Sequence, residues 1–190
     1  MNALVTERLM LRPMTAADAP LMLALLNDPD FLRFVGDRQV RTVDEARRYV
    51  EKGPLASYAR HGYGPYTVVL KPGADAVGIC GLFKRDHLPD PDIGFAFLPA
   101  WRGSGLAGEA ARAVLADAKA RLGITRVLAI VDPGNARSIA LLERLGLHDV
   151  GTLSSDDGVA LACYAIEYPS AQAALPAVVG TRQGIEGRRE

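Results

Sequence analysis

The spacing of apolar residues along the chain changes period several times, and each change marks an element. Arg8-Leu9-Met10-Leu11-Arg12-Pro13 alternates polar with apolar and ends on a proline that cannot donate to a ladder, which predicts a first strand near a sheet edge. The spacing then lengthens to four: Leu21 with Leu25 and Met22 with Leu26, behind Thr15 as N-cap, predict a helix running up to Asn27-Asp28-Pro29. Thr42-Val43-Asp44-Glu45 is a capping-box pattern, in which hydroxyl and carboxylate each satisfy a backbone N–H at the helix start. It opens a second helix over residues 43 to about 60.

Both helices precede most of the sheet. Tyr66-Thr67-Val68-Val69-Leu70 and residues 76–83 read as strands on either side of the turn Lys71-Pro72-Gly73-Ala74-Asp75, which makes a hairpin. After a polar, proline-rich loop at 87–91, residues 92–98 form a strand that feeds the glycine-rich turn Arg102-Gly103-Ser104-Gly105. The helix behind that turn carries Ala107, Ala111, Val114, Ala118 and Leu122 on one face. Gly123 ends it as a left-handed cap, and the apolar run from Arg126 to Val131 reads as a buried strand, so the three elements make one parallel crossover. A shorter helix from Asn135 or Ala136 to Leu145 follows, then two strands, 148–153 and 159–166, about the turn 154–158; the periodicity ends at Pro169.

The turn after residue 98 is where chemistry is expected. N–H groups at a helix start have no partner inside the helix, and glycines let an anion come close to them. Gly103-x-Gly105-x-x-Gly108 also fits the dinucleotide fingerprint, with Asp132 ending the next strand where a ribose partner would stand. Two features argue against that reading. Pro99, Ala100, Trp101 and Arg102 separate the strand from the first glycine, and the short helix and hairpin after Asp132 are too little for a doubly wound sheet.

Length and charge narrow the classes. The 190 residues suit one domain, which would bury roughly 70% of its unfolded surface; we place it at 1–168, with 169–190 as a tail. Twenty-two basic residues balance 22 acidic ones, so no long-range field draws nucleic acid or an anionic membrane, and any anion site is local. Cys80 and Cys163 lie in apolar stretches and read as small core residues. A start without a signal pattern, and no apolar run of membrane-spanning length, point to a soluble cytoplasmic protein. His61, His87 and His148 are scattered without ligand spacing, so no metal is expected. The tail reads as a flexible segment, as the arm of a homodimer, or as partly vector-derived, since Ile185-Glu186-Gly187-Arg188 equals a protease recognition sequence used in expression.

These words and their order resemble the GNAT superfamily of N-acetyltransferases, in particular the branch of the RimJ/RimL ribosomal-protein alanine acetyltransferases. The likeness covers about residues 6–168. Thr6-Glu7-Arg8-Leu9-Met10-Leu11-Arg12-Pro13 is similar to that branch's opening, and Asp92-Ile93-Gly94-Phe95 to its acidic-Ile-Gly-aromatic strand. Residues 102–107 match the R-x-x-G-x-A loop, Asn135-Ala136-Arg137-Ser138 the N-x-x-S word and Leu145-Gly146-Leu147 the usual L-G-F. The resemblance implies an α/β (α+β) fold, a central mixed and mostly antiparallel sheet of about seven strands flanked by helices. The parallel strands ending at Leu98 and Val131 would splay apart around acetyl-CoA. Pro99 and Pro133 agree with a split, since each lacks the N–H that continued pairing would require.

The resemblance further implies acetyl transfer from acetyl-CoA to a primary amine, either a small molecule or a protein N-terminus, by direct attack in a ternary complex. Backbone N–H groups of Arg102, Gly103, Ser104, Gly105, Leu106 and Ala107 are expected on the diphosphate, aided by the Arg102 charge and the helix dipole. Those of Phe97 and Leu98 are expected on the thioester carbonyl. The tyrosine that many members carry seven residues after the motif asparagine is Leu142 here, which leaves Ser138 as proton donor to the departing thiolate and Asn135 to fix the pantetheine or nearby backbone. Both also suit an ordinary helix start. Asp92 is the preferred base, ahead of Asp90. Glu109 is expected to pair with Arg112 on the helix surface, and Trp101 to pack over the edge of the turn. Acceptor choice is assigned to the early helices and to the loops at 31–36 and 85–91. A rival of another class is an acyl-CoA-binding sensor or interaction module without turnover.

Overall fold

Leu9 and Leu11, the apolar members of the first alternation, are both fully buried, and Met10 between them is not. The computed structural model describes residues 1–73, 75–154 and 158–169. Among these, eight strands form one sheet: β1 (Leu4–Val5), β2 (Leu9–Pro13), β3 (Pro65–Leu70), β4 (Ala76–Phe83), β5 (Asp92–Phe97), β6 (Arg126–Val131), β7 (His148–Ser154) and β8 (Ala160–Glu167). Their order is β1-β2-β3-β4-β5-β6-β8-β7, and every neighbouring pair is antiparallel except β5 with β6. The sheet is therefore mixed and mostly antiparallel, as expected. The added strand is β1, two residues long, too short to leave a period in the sequence, and it takes the edge from β2.

The helices are α1 (Ala19–Leu26), α2 (Pro29–Phe34), α3 (Val43–Val50), α4 (Ala56–His61), α5 (Leu106–Ala120) and α6 (Ala136–Arg144). The capping box is present: Thr42 Oγ1 accepts from the Glu45 N–H at 3.2 Å, and Glu45 Oε2 accepts from the Thr42 N–H at 3.0 Å. The single helix expected over 43–60 is α3 and α4 joined by one π-helical turn, Glu51–Leu55. Pro54 has no N–H for the α-ladder and its ring crowds the preceding turn, so the ladder widens there. α2 replaces what the sequence suggested was a helix end followed by a loop. Asp28 caps it, its Oδ1 accepting from the N–H groups of Asp30 at 3.1 Å and Phe31 at 3.3 Å, with Pro29 at the first position.

The sheet is covered on both faces. On β4, Cys80 and Leu82 point into a core shared with Ala110, Ala111, Val114 and Ala118 of α5, while Ile79, next to Cys80, points into a second core with Leu25, Leu26 and Val50 of α1 and α3. Alanines let α5 lie close to the strands, and full burial of Val114 and Leu115 contributes about 1.5–3 kcal/mol each. Cys80 and Cys163 are free and buried, as read from their surroundings. No helix among the described residues is long and apolar enough to cross a membrane. Ala74 of the first predicted turn, residues 155–157 of the second, and the tail from residue 170 with Ile185 to Arg188 lie outside the described residues.

Candidate functional site

β5 and β6 share a single rung, Asp92 opposite Leu128, with the Leu128 N–H donating to the Pro91 carbonyl at 2.9 Å. Beyond it the strands part. Strand register decides which backbone groups face the gap. The Leu98 N–H donates to the Val77 carbonyl at 3.0 Å, so even-numbered residues of β5 bond to β4, and Phe95 and Phe97 direct their amides the other way. Leu128 fixes the parity of β6 in the same manner, which puts the amide groups of Ile130 on the gap side. The donor expected from Leu98 is thus engaged inside the sheet, and the donor on this wall is the Phe97 N–H.

At the carboxyl end of β5 the glycine turn is open to solvent. Gly103 and Gly105 take φ values of +77° and +81°, where a Cβ meets the following carbonyl, so side-chain-bearing residues are strained there. Gly103, Ser104 and Gly105 are exposed, and Gly105 is the N-cap of α5 with no side chain bonded to the helix start. The first N–H groups of α5, including those of Leu106 and Ala107, therefore have no helical acceptor and carry the positive end of the dipole. The Ser104 hydroxyl donates to the Trp101 carbonyl at 2.8 Å, and Trp101 packs against the α5 core beside the turn.

Arg102 departs from expectation. Its Nε donates to the Phe97 carbonyl at 2.8 Å, Nη1 to Asp30 Oδ2 at 2.8 Å and Nη2 to Asp28 Oδ1 at 2.6 Å. Asp28 is 6% exposed, and a buried carboxylate needs a cation; the guanidinium is therefore turned to α2 and away from the turn's N–H groups. The cation beside the turn is Arg8, whose Nη1 donates to the Ser104 carbonyl at 2.9 Å and whose Nη2 lies 3.5 Å from where a Cβ on Gly105 would stand. Its Nε donates to Glu109 at 2.7 Å, and Glu109 also accepts from the Thr6 hydroxyl at 2.6 Å and the Arg8 N–H at 2.8 Å. Glu109 thus fastens the start of the chain to α5 instead of pairing with Arg112. Burial pushes its carboxyl up, but the bonds from Thr6 and Arg8 hold it below its ordinary value. Spacing alone could not find this contact across the chain, although the word Thr6-Glu7-Arg8 stood out.

Between the parted strands runs a cleft of about 550 Å³, lined among others by Asp92, Phe95, Ile130, Asn135, Ser138 and Leu142. Asn135 caps α6, its Oδ1 accepting from the Ser138 N–H at 3.2 Å. Ser138 and Leu142, one helical turn apart, both face the cleft. Among the described residues the Ser138 hydroxyl has no protein partner. Asp92 is 1% exposed, and its two oxygens accept from Arg85 Nε at 3.0 and 3.1 Å. Burial pushes the Asp92 carboxyl up, and the charge and hydrogen bond of Arg85 pull it part of the way back. Asp90 pairs instead with Arg126 at 3.3 Å.

Phe31 and Phe34 of α2 line the same cleft as Arg85 and His87, so the two segments assigned to acceptor choice do meet. Phe34 also reaches the turn after β6, its Cε1 lying 4.0 Å from where a Cβ on Gly134 would stand. Among the described residues no group of three or more His, Cys, Asp or Glu could hold a metal ion.

A mixed sheet opened beyond the one rung of its parallel pair, with a glycine turn at the carboxyl end of the opened strand, is the architecture of an acetyltransferase. Residues 8–148 match the acetyltransferase (GNAT) domain, and the chain belongs to that family. It is 32% identical over 158 residues to the uncharacterized protein YkkB of Bacillus subtilis, covering 78% of this chain and 88% of that one. Among solved structures, an acetyltransferase from Agrobacterium tumefaciens superposes with a TM-score of 0.76 at 26% identity, over 88% of this chain and 95% of the other. RimL, the ribosomal L7/L12 α-N-protein acetyltransferase solved in complex with coenzyme A, shares the fold with a TM-score of 0.74 at 18% identity, over 88% and 98% of the two chains.

Proposed function

We propose that the chain transfers the acetyl group of acetyl-CoA to a primary amine by direct attack, with no covalent enzyme intermediate. The observation that carries this reading is the parting of β5 from β6 after one rung, beside an uncapped helix start. The N–H groups of residues 103–107 would receive the diphosphate, and the gap-facing amides of Phe95 and Ile130 the amide-bearing pantetheine arm. The Phe97 N–H polarises the thioester carbonyl; losing one such donor typically costs about 10²–10³ in rate. As the new C–N bond forms and the C–S bond breaks, the Ser138 hydroxyl protonates the departing sulfur and is reprotonated from water. Asn135 sets the first turn of α6 and with it the Ser138 position.

Asp92 acts in this reading through Arg85. A carboxylate that is 1% exposed, with both oxygens on a guanidinium, cannot meet an ammonium without breaking that pair. The acceptor therefore gives its proton to water in the cleft. The fold likeness to RimL is compatible with a protein N-terminus as acceptor, and the cleft with a small amine.

Thiol release from acetyl-CoA, measured across a panel of amines and N-terminal peptides, tests the reaction: acceptor-dependent release is expected, and tight binding of acetyl-CoA without release for any acceptor would reject it. Ser138→Ala should lower kcat about 100-fold while the Kd for acetyl-CoA stays within about twofold. Full turnover by that variant removes Ser138 from the mechanism.

A further inference from the structure

Arg85 is held by one atom. Its Nε is fixed on the buried Asp92 carboxylate, and its guanidinium carbon lies 5.9 Å from the centre of the Phe83 ring. Its two Nη groups have no hydrogen-bond partner among the described residues, and the side chain lines the cleft. A guanidinium in this state is a fork with both tines free, already held in one orientation, and such a fork matches the two oxygens of a carboxylate or phosphate.

Apart from Asp92, which takes only the Nε, no neighbouring acid bonds to this fork. Asp90 is on Arg126, and Asp132 Oδ1 accepts from the Gly134 N–H at 2.7 Å. Asp86, the remaining acid of this loop, is exposed and does not line the cleft. Lys84 adds positive charge while its ammonium is pinned on the carbonyls of Leu88 and Pro89, at 2.5 and 3.2 Å. An ammonium arriving alone gives these free donors no acceptor; one that brings an oxyanion does.

We infer that Arg85 is the anion-binding residue of the acceptor site, and that the acceptor is a small amine carrying a carboxylate or phosphate a few bonds from its nitrogen. This rests on the reading of the cleft as a transferase site, and the size follows from about 550 Å³ that the thioester arm must share.

The test uses matched acceptors: an α-amino acid against its carboxamide, and phosphoethanolamine against ethanolamine. Each is followed by thiol release and, separately, by calorimetric binding to the CoA-loaded protein. The anionic member of at least one pair should be favoured about tenfold or more in kcat/KM, and the pair that responds tells carboxylate from phosphate. Arg85→Lys keeps a cation on Asp92 but loses the fork, so KM for the favoured acceptor should rise about tenfold while the Kd for acetyl-CoA is unchanged. Equal use of neutral and anionic amines, or equal binding of the anionic amine by the native protein and Arg85→Lys, overturns the inference. Selective binding lost in Arg85→Lys, with no thiol release from any amine, leaves the anion site standing and rejects the transferase reading alone.

Discussion

The two ends of β5 solve recognition in opposite ways. At its start the backbone is zipped to β6, and what faces the cleft is a charged side chain, Arg85, anchored on the buried Asp92. At its finish the backbone is released, and the charged side chains are tied to protein: Arg102 to Asp28 and Asp30, Arg8 to Glu109 and the Ser104 carbonyl. In the proposed function, one end would offer main-chain N–H groups to a diphosphate without reading what it belongs to. The other offers a side chain whose shape discriminates. A cosubstrate common to a family suits the first, and an acceptor particular to one enzyme suits the second.

The largest expected break in this comparison is Arg102→Ala. It strands Asp28 without its cation, and because Arg102 is partly exposed we expect a loss of about 2–3 kcal/mol in unfolding free energy, read by urea denaturation. Affinity for acetyl-CoA should change far less; a tenfold loss with stability intact would put the Arg102 charge back on the diphosphate. Next comes Gly105→Val, which forces a branched side chain into a left-handed backbone at the open turn. It should weaken acetyl-CoA at least about tenfold, roughly 1.4 kcal/mol, in calorimetry, and unchanged affinity would count against the turn as the anion site. Asn135→Ala removes the α6 cap and should cost about 1 kcal/mol.

The smallest effect is in pH, and it carries opposite signs at the two ends. Burial raises the Asp92 carboxyl, so the fold holds that proton more tightly than the unfolded chain does, and its stability contribution falls as pH rises from the ordinary carboxylate range through the folded value. Glu109 is also pushed up by burial, but donors from Thr6 and Arg8 bring it below its ordinary value. Its contribution is present above the unfolded value and is lost as pH falls through the folded one. Between pH 3 and 7 the melting temperature of Asp92→Asn should therefore gain on the native protein, and that of Glu109→Gln should fall behind it. Parallel curves for the two variants would remove the distinction.

Most elements could be read from the chain because their signals are local. Thr42 with Glu45 announces α3 and the alternation of Leu9 and Leu11 announces β2, whereas Pro99 and Pro133 mark only the strand ends, since β5 and β6 part well before them, after Asp92 and Leu128. Features that depend on a partner far along the chain could not be read. The signals for α2, Asp28 as cap and Pro29 at the first position, are local too, but they serve equally as the end of the preceding helix until the fold is known. The destination of Arg102 needs Asp28, more than 70 residues earlier, to be known as buried. Arg85 was placed in an acceptor loop, yet its free Nη groups follow from a bond to Asp92 that only folding forms. Leu98 and Phe97 looked equivalent as donors, and one bond to Val77 separates them.

The solitary rung between β5 and β6 has a mechanical consequence. Past Leu128 no ladder sets the distance between the two walls; below the sheet, Val127 and Ala129 of β6 and Ile93 and Phe97 of β5 share one core with α5. The aperture is thus governed by the girth of small residues such as Ala110 and Ala111, and a methylene added there would act as a wedge, retuning the opening from beneath without touching either wall.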